Sequence, residues 1–160
     1  MSKEYIINVA RLEGDKTEKL TCQFPAEIMD IEEGDLQFES PISCTASAYL
    51  ASDHLVIHLD IDAKAKLPCT TCNDPIEKTI SLRHVYYSSP IEELDSQEVD
   101  LRPIIRENIL LETPHFAECV QEGCPEKEAL KGYFATASES PSEDSHFPFA
   151  QLEREIDTTE

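Results

Sequence analysis

The clearest pattern in the chain is an alternation of apolar and polar residues between Pro41 and Tyr86. A period of two is typical of β-strands that bury one face. The pattern predicts three long strands, with apolar positions running from Ile42 to Leu50, from Leu55 to Leu67 and from Ile76 to Tyr86. A turn at residues 51–53 and a loop at residues 68–75 separate them, so we expect neighbouring strands to be antiparallel.

One register satisfies both faces of the last two strands. It places apolar residues together on one face and opposite charges together on the other, as the pairs Leu67–Ile76, Ile61–Leu82, Lys66–Glu77 and Asp60–Arg83. Each complementary charge pair contributes about 0.2–1 kcal/mol. Charge and hydrophobicity thus indicate the same register, and the loop at residues 68–75 becomes the tip of a hairpin.

The first 40 residues predict shorter elements. Residues 5–11 and 17–24 have the composition of strands, and the turn-rich residues 13–16 join them into a first hairpin. Pro25 suits the start of a short helical turn. Gly34 interrupts the chain before a further strand at residues 36–39.

A helix is predicted after an acidic connection of low hydrophobicity, residues 88–100, which we expect to be mobile. Asp100 suits the N-cap, and Pro103 is tolerated in the first turn. The helix ends near Leu111, before Pro114, and its apolar side carries Leu101, Ile104, Ile105 and Ile109. The expected fold class is α+β: a curved, mostly antiparallel sheet with barrel tendency, covered by one main helix.

The composition predicts three regions. Residues 1–132 suit a single domain, and residues 133–146 suit a disordered acidic linker. Residues 147–157 suit a short helical or docking segment, with candidate binding residues Phe147, Pro148, Phe149 and Leu152. This segment either docks on its own domain or binds a partner as a short peptide.

Four cysteines form the strongest candidate site. Cys69 and Cys72 lie in the predicted hairpin tip, and Cys119 and Cys124 follow the predicted helix. A C-x2-C pair has the spacing of half a tetrahedral zinc site, whereas C-x4-C is at the wide end of zinc loops. The open readings are a zinc or other soft-metal site, a redox or disulfide pair, and ordinary thiols. His115 is an alternative ligand in place of one sulfur.

The remaining two cysteines fall in strand patterns. Cys44 is in the apolar phase of its strand, and Cys22 lies in the shorter strand predicted before it. Small thiol side chains pack well in cores. We therefore expect both to be core residues.

The formal net charge of −20 limits the partners. Nucleic-acid affinity depends on Lys and Arg displacing counterions, so general RNA or DNA binding by the chain alone is disfavoured. A basic partner protein suits this charge, and so does simple solubility. The one basic patch, which we consider either an RNA contact or a solvated, charge-paired strand face, comprises Lys64, Lys66, Lys78 and Arg83.

No enzyme motif stands out. The four glycines form no phosphate-binding loop, and neither a nucleophile elbow nor a His–Glu metal-hydrolase motif is present. A dithiol oxidoreductase built on Cys69 and Cys72 is the enzymatic alternative, although a hairpin tip lacks the helix N-terminus that lowers a thiol pKa. With no signal-peptide pattern and no long apolar run, we expect a cytoplasmic, monomeric protein that is not bound to a membrane.

Several motifs together resemble the YceD family of large ribosomal RNA subunit accumulation proteins. They are the CxxC after an alternating strand, the stretch from Val99 to Pro114 leading into Cys119 and Cys124-Pro125, and Phe147-Pro148-Phe149-Ala150-Gln151-Leu152. The resemblance implies a ribosome-assembly factor that acts by binding, with a metal site and no catalytic residues. The implied partners are the assembling large subunit, a basic ribosomal protein or large-subunit ribosomal RNA. A structural zinc-ribbon-like adaptor without a ribosomal role is the alternative.

Overall fold

The computed structural model describes residues 5–31 and 34–133. The chain divides into two compact units, residues 1–125 and 126–160. In the second unit the described elements are the short helix α2, Lys127–Leu130, and a 3-10 turn, Lys131–Tyr133. Apart from Tyr133, the predicted linker and the docking segment at residues 147–157 lie outside the described residues.

The first unit contains six strands and one main helix. The strands are β1 (Ile6–Asn8), β2 (Glu18–Phe24), β3 (Ile42–Ala51), β4 (His54–Pro68), β5 (Pro75–Pro90) and β6 (Glu98–Asp100), and the helix is α1 (Leu101–Glu112). Short 3-10 helices lie at Val9–Leu12, Ala26–Met29 and Ile91–Glu93. No helix of the described residues is long and apolar enough to cross a membrane.

Two antiparallel sheets confirm the predicted α+β fold class. The larger sheet has the order β2-β3-β4-β5, and β1 pairs with β6 separately. Within the described residues β2 and β5 do not pair with each other, so the barrel tendency stops short of a closed barrel. The long strands at the centre of the chain are those that the alternation predicts.

The core lies between one face of the larger sheet and α1. Alternate residues of β3 and β4 are buried, and they form one cluster with the helix residues Leu101, Ile104, Ile105 and Ile109, as predicted. The helix begins after Asp100, whose side chain accepts a hydrogen bond from the Arg102 backbone N–H at 2.9 Å. An acidic N-cap satisfies an N–H that the helix leaves unpaired.

The predicted first hairpin is wrong. β1 pairs with β6, placing Ile6 opposite Asp100, while β2 pairs with β3. After Asn8, whose side chain accepts from the Ala10 N–H, the chain turns into a 3-10 helix, and this ends the strand. Residues 88–100, which we predicted to be mobile, contain the end of β5, a 3-10 turn and β6. The strand predicted at residues 36–39 is a single bridge from Gln37 to Lys66.

The predicted β4–β5 register holds near the hairpin tip and breaks further along. Leu67 lies opposite Ile76, and Ile61 opposite Leu82, but β5 then carries an extra residue in a bulge. Beyond the bulge Val85 and Tyr87 pack against the core, and Tyr86 is exposed. The prediction that His84 and Tyr86 share the apolar phase is therefore wrong, because a bulge reverses the face of every following residue.

Candidate metal centre

The first half of the site is the turn between β4 and β5. The backbone N–H of Cys69 donates to the Asp74 carbonyl at 2.8 Å, and that of Asn73 donates to the Cys69 carbonyl at 2.9 Å. Asn73 has a left-handed φ of 64°, a conformation that asparagine tolerates better than most residues. These bonds fold the chain tightly enough to bring the sulfurs of Cys69 and Cys72 together.

The segment after α1 is tied directly to this turn. The helix ends at Thr113, whose backbone N–H and hydroxyl both donate to the Ile109 carbonyl. Further on, the Ala117 carbonyl accepts from the Thr70 backbone N–H at 2.8 Å and from its hydroxyl at 3.1 Å. The hairpin tip and the post-helix segment are therefore joined by two hydrogen bonds to Ala117, two residues before Cys119.

A second turn places Cys124. Gly123 has a φ of 110°, which favours glycine, and its N–H donates to the Val120 carbonyl at 3.1 Å. The Cys124 N–H donates to a carboxylate oxygen of Glu118 at 3.3 Å. The four residues between the cysteines thus form a closed loop, which explains why the wide C-x4-C spacing still brings both sulfurs to one point.

The four thiols converge. The sulfurs of Cys69, Cys72, Cys119 and Cys124 all lie within 4.8 Å of one another, and those of Cys72 and Cys119 are 4.0 Å apart. Zinc in a tetrahedral four-sulfur site has Zn–S bonds near 2.3 Å, which separates the sulfurs by about 3.8 Å. The donor set therefore fits such an ion with a contraction of about 1 Å or less. Four cysteines so placed can hold a metal ion.

Backbone N–H groups already favour a thiolate in this cluster. The Cys119 N–H lies 3.4 Å from the Cys69 sulfur. Hydrogen bonds from the N–H of Cys72, and further ones from Thr71 and Cys119, lower the pKa of the Cys69 thiol to about 6. Charge-stabilising N–H groups around a ligand sulfur are typical outer-shell partners of a metal centre.

The neighbouring thiols hold their protons more tightly. An N–H of Asp74 lowers the pKa of Cys72, but burial and the surrounding thiols outweigh it and raise that pKa to about 12. The thiol of Cys124 raises the pKa of Cys119. Four crowded sulfurs cannot all ionise without a cation, so binding a divalent metal would release protons.

His115 does not join the thiols. Among the described residues the ligand group consists of the four cysteines, whereas His115 lines an adjacent cavity of about 510 Å³ that also borders Cys69. The backbone partners Thr70 and Ala117 and the carboxylate of Glu118 were not singled out from the sequence. In this loop the sequence itself marks Gly123, because glycine takes a positive φ without a steric cost.

The predicted basic patch is divided between the two faces of the sheet. Lys78 lies opposite the buried Ala65 and so belongs to the core-side face. Lys64, Lys66 and Arg83 lie on the other face, which we call the outer face.

Each of these three cations has an acidic partner. Lys64 pairs with Glu77 at 2.9 Å, Lys66 with Glu39 at 3.4 Å and Arg83 with Asp62 at 2.7 Å. Lys66 lies opposite Glu77, as the predicted register has it, but its ammonium pairs with Glu39. Arg83 pairs with Asp62 and not with the predicted Asp60. The hydrogen bond from Arg83 holds the pKa of Asp62 below its usual range.

The other predicted residues lie elsewhere. Cys22 and Cys44 are buried and opposite each other on β2 and β3, as core residues. A hydrogen bond with Cys22, and then burial, raise the pKa of Cys44. The candidate partner-binding residues Phe147, Pro148, Phe149 and Leu152 lie outside the described residues.

In comparisons with known proteins, no family model, curated protein or solved structure matches this chain. The resemblance to the YceD family therefore stays a prediction. The features of this chain that bear on its function are the geometry of the cysteine cluster, the YceD-like motifs and the net charge.

Proposed function

We propose that this protein is a zinc-stabilised binding module that acts as an assembly factor for the large ribosomal subunit, by binding and not by catalysis. The observation that carries the metal part is the convergence of two distant cysteine pairs, with all four sulfurs within 4.8 Å. The ribosomal part is supported by the YceD-like motifs and by the acidity of the chain.

Zinc is the ion that best suits the donors. Four thiolates in a tetrahedral arrangement favour zinc over the hard cations, which prefer oxygen ligands. Cys69, Cys72, Cys119 and Cys124 would hold it. An ion held by four protein thiolates keeps no open position for a substrate, so it would cross-link the hairpin tip to the segment after α1.

The acidic surface supports docking to basic partners. At a formal charge of −20 the chain attracts Lys- and Arg-rich proteins and repels bare phosphate backbones. Ribosomal assembly supplies partners of the first kind in the form of basic ribosomal proteins. We propose that the protein docks on the assembling large subunit through such a partner, through ribosomal RNA, or through both.

Metal analysis tests the zinc site. Full-length protein purified under reducing conditions without chelator is expected to contain one equivalent of zinc. Cys69→Ser and Cys124→Ser are each expected to lose it, because the two pairs form one site. Cys22→Ala, which removes a thiol outside the cluster, is the matched control and is expected to keep the metal. Metal-free wild-type protein of unchanged stability would contradict the proposal.

Co-sedimentation tests the ribosomal role. The protein is expected in the fractions that contain large-subunit precursors at low salt, and less of it at high salt. Its absence from those fractions at low salt would refute the role in assembly. Zinc content retained alongside that absence would leave the zinc-ribbon-like adaptor as the function.

A dithiol oxidoreductase has one observation in its favour, the lowered pKa of Cys69. However, Cys69 is only 1% exposed, so its sulfur is shielded from an external disulfide. The reduced protein is therefore expected not to reduce a disulfide substrate. Turnover that disappears in Cys69→Ser would favour the enzyme instead.

A further inference from the structure

A row of outward side chains crosses the whole larger sheet. Lys19, Ser47, His58 and Tyr86 are register partners on β2, β3, β4 and β5. Tyr86 is 60% exposed although it lies on a strand of the sheet. Lys19 makes no ion pair with any of the described residues.

Three aromatic rings are grouped here: His58 and Tyr86 lie on this row, and Tyr49 lies beside it, two residues after Ser47 on β3. The rings of Tyr49 and His58 are nearly parallel, at 21° with centroids 5.8 Å apart, and the Tyr49 hydroxyl lies 3.4 Å from His58 Nε2. The Tyr86 ring is 5.4 Å from that of His58 and tilted by 60°. The hydrogen bond and the ring contacts hold His58 between two tyrosines, with Tyr86 available to a ligand.

The outer face is nearly neutral in a strongly acidic chain. The charged residues that its four strands contribute are four cations and three carboxylates: Lys19, Lys64, Lys66, Arg83, Asp60, Asp62 and Glu77. Hydroxyl side chains fill much of the rest, namely Thr21, Ser43, Thr45, Ser47, Thr79, Ser81 and Ser88. A polyanion is therefore repelled less here than by the chain as a whole.

We propose that the outer face, around Tyr86 and His58, binds unpaired bases of RNA. Exposed aromatic rings on a sheet accept stacked bases of any sequence, and hydroxyls and a lysine that pairs with no described carboxylate suit the sugar–phosphate backbone. A basic protein is attracted more strongly by the acidic remainder of the surface. The inference rests on the proposed function, because it assigns the RNA contact of that assembly factor.

Binding of a fluorescein-labelled single-stranded RNA of about 12 nucleotides to the full-length, zinc-loaded protein tests the site by fluorescence anisotropy. Tyr86→Ala is expected to weaken binding about 5- to 150-fold, the effect of losing one base–aromatic stack. Tyr86→Phe keeps the ring and is expected to bind as wild type. Tyr133→Ala, which removes another exposed tyrosine, is the matched control and is also expected to bind as wild type.

Two further measurements distinguish stacking from a general loss of charge. Lys19→Ala is expected to reduce the slope of log affinity against log salt by about 0.7, as one phosphate contact does on a single strand. A duplex of the same sequence is expected to compete poorly, because its bases are already stacked. Thermal melting of each variant verifies that the sheet remains folded.

The results separate this inference from the proposed function. Wild-type protein that does not bind the RNA, or Tyr86→Ala that binds it equally well, overturns the inference. If the wild type binds a basic peptide in place of RNA, and Tyr86→Ala no longer binds that peptide, the inference is also overturned. If wild-type protein still co-sediments with large-subunit precursors in those cases, the proposed function stands. RNA binding through Tyr86 without co-sedimentation refutes the ribosomal role alone.

Discussion

The carboxylate of Asp60 accepts a hydrogen bond of 2.8 Å from the backbone N–H of His84, inside the bulge that interrupts the β4–β5 ladder. His84 has a φ of 58°, a left-handed conformation that costs a non-glycine residue about 1–2 kcal/mol. The side chain of one strand thus satisfies the N–H that the extra residue removes from the ladder. This bond helps to stabilise the bulge, which reverses the faces of the residues that follow it and so exposes Tyr86.

Removing the carboxylate is expected to destabilise the protein. Asp60→Ala should lower the free energy of unfolding by about 1.5–3 kcal/mol, the range for a hydrogen bond to a charged group. Asp60→Asn keeps an acceptor oxygen and should lose less, and His84→Gly should gain about 1 kcal/mol by relieving the left-handed φ. Urea unfolding of the variants and the wild type, all with the same metal content, measures these differences. Equal midpoints for Asp60→Ala and wild type would show that the bond does not stabilise the bulge.

The N-cap of α1 gives a pH-dependent prediction. Hydrogen bonds from Arg102 hold the pKa of Asp100 below its usual range, so the folded state binds fewer protons at this site than the unfolded state. The stability that the charge contributes is present above the unfolded pKa of about 3.9 and is lost as pH falls through the lower folded value. The difference in unfolding free energy between wild type and Asp100→Asn should be constant from neutral pH down to about pH 5 and then shrink. A difference that grows on acidification would contradict this assignment.

The cap itself is tested at neutral pH. Asp100→Ala should cost about 1 kcal/mol, since it leaves the Arg102 N–H without its acceptor. Asp100→Ser restores a capping oxygen and should recover most of that loss. Chemical unfolding curves give both values, and a Ser variant no better than Ala would argue against capping.

The contact between helix and sheet depends on buried isoleucines. Ile109→Ala should destabilise the protein by about 2–5 kcal/mol, because Ile109 is fully buried and its truncation leaves a cavity. Leu111, on the same helix, is 74% exposed, so Leu111→Ala is the matched control and should change stability by less than about 0.5 kcal/mol. Similar losses in both variants would show that α1 does not pack as described.

If the four cysteines hold zinc, as proposed, its removal should loosen the site before the sheet. The Thr70 amide is bonded to the Ala117 carbonyl, across the two segments that the metal would join. Its hydrogen exchange should accelerate by about tenfold or more when the metal is chelated, whereas the amide of Ile57 in the central strand β4 should stay protected. Exchange measured by mass spectrometry or NMR distinguishes the two. Uniform acceleration would mean that zinc supports the whole unit.

Alkylation should distinguish Cys72 and Cys119 from the buried pair Cys22 and Cys44. In chelated but folded protein, Cys119 and Cys72 should react with iodoacetamide because neither is buried, although slowly, since the pKa of each thiol is raised by its neighbours. Cys22 and Cys44 should remain unlabelled, because both are buried and the pKa of Cys44 is raised by its bond with Cys22 and by burial. Peptide mass spectrometry identifies the labelled sites. Early labelling of Cys44 would indicate that β2 detaches from β3.

Local patterns were sufficient for the long strands and the helix. The alternation from Ile42 to Leu67 describes β3 and β4 because adjacent strands connected by short turns pair with each other. Likewise Asp100 and Pro103 mark the start of α1 through local chemistry. The convergence of the cysteines could be expected because the helix returns the chain toward the hairpin tip.

Pairing between distant segments could not be predicted from local sequence patterns. β1 and β6 are each three residues long, too short for a periodic pattern, and their pairing depends on the completed fold. Burial is compatible with each of the three residues that follow the bulge, Val85, Tyr86 and Tyr87. Hydrophobicity alone therefore does not show which of them face the core. The backbone bonds of Thr70 and Ala117 carry no sequence signal.

The ladder between β1 and β6 also sets the order in which the first unit can be completed. Ile7 is fully buried, yet its strand partner Val99 is made only after all four strands of the larger sheet. A nascent chain therefore carries an apolar strand without its partner until residue 100 leaves the ribosome. Contacts so distant in sequence form slowly, because the intervening chain must first be ordered. The short ladder can therefore form only after the larger sheet has been synthesised, and it fixes the start of α1 immediately before that helix is made.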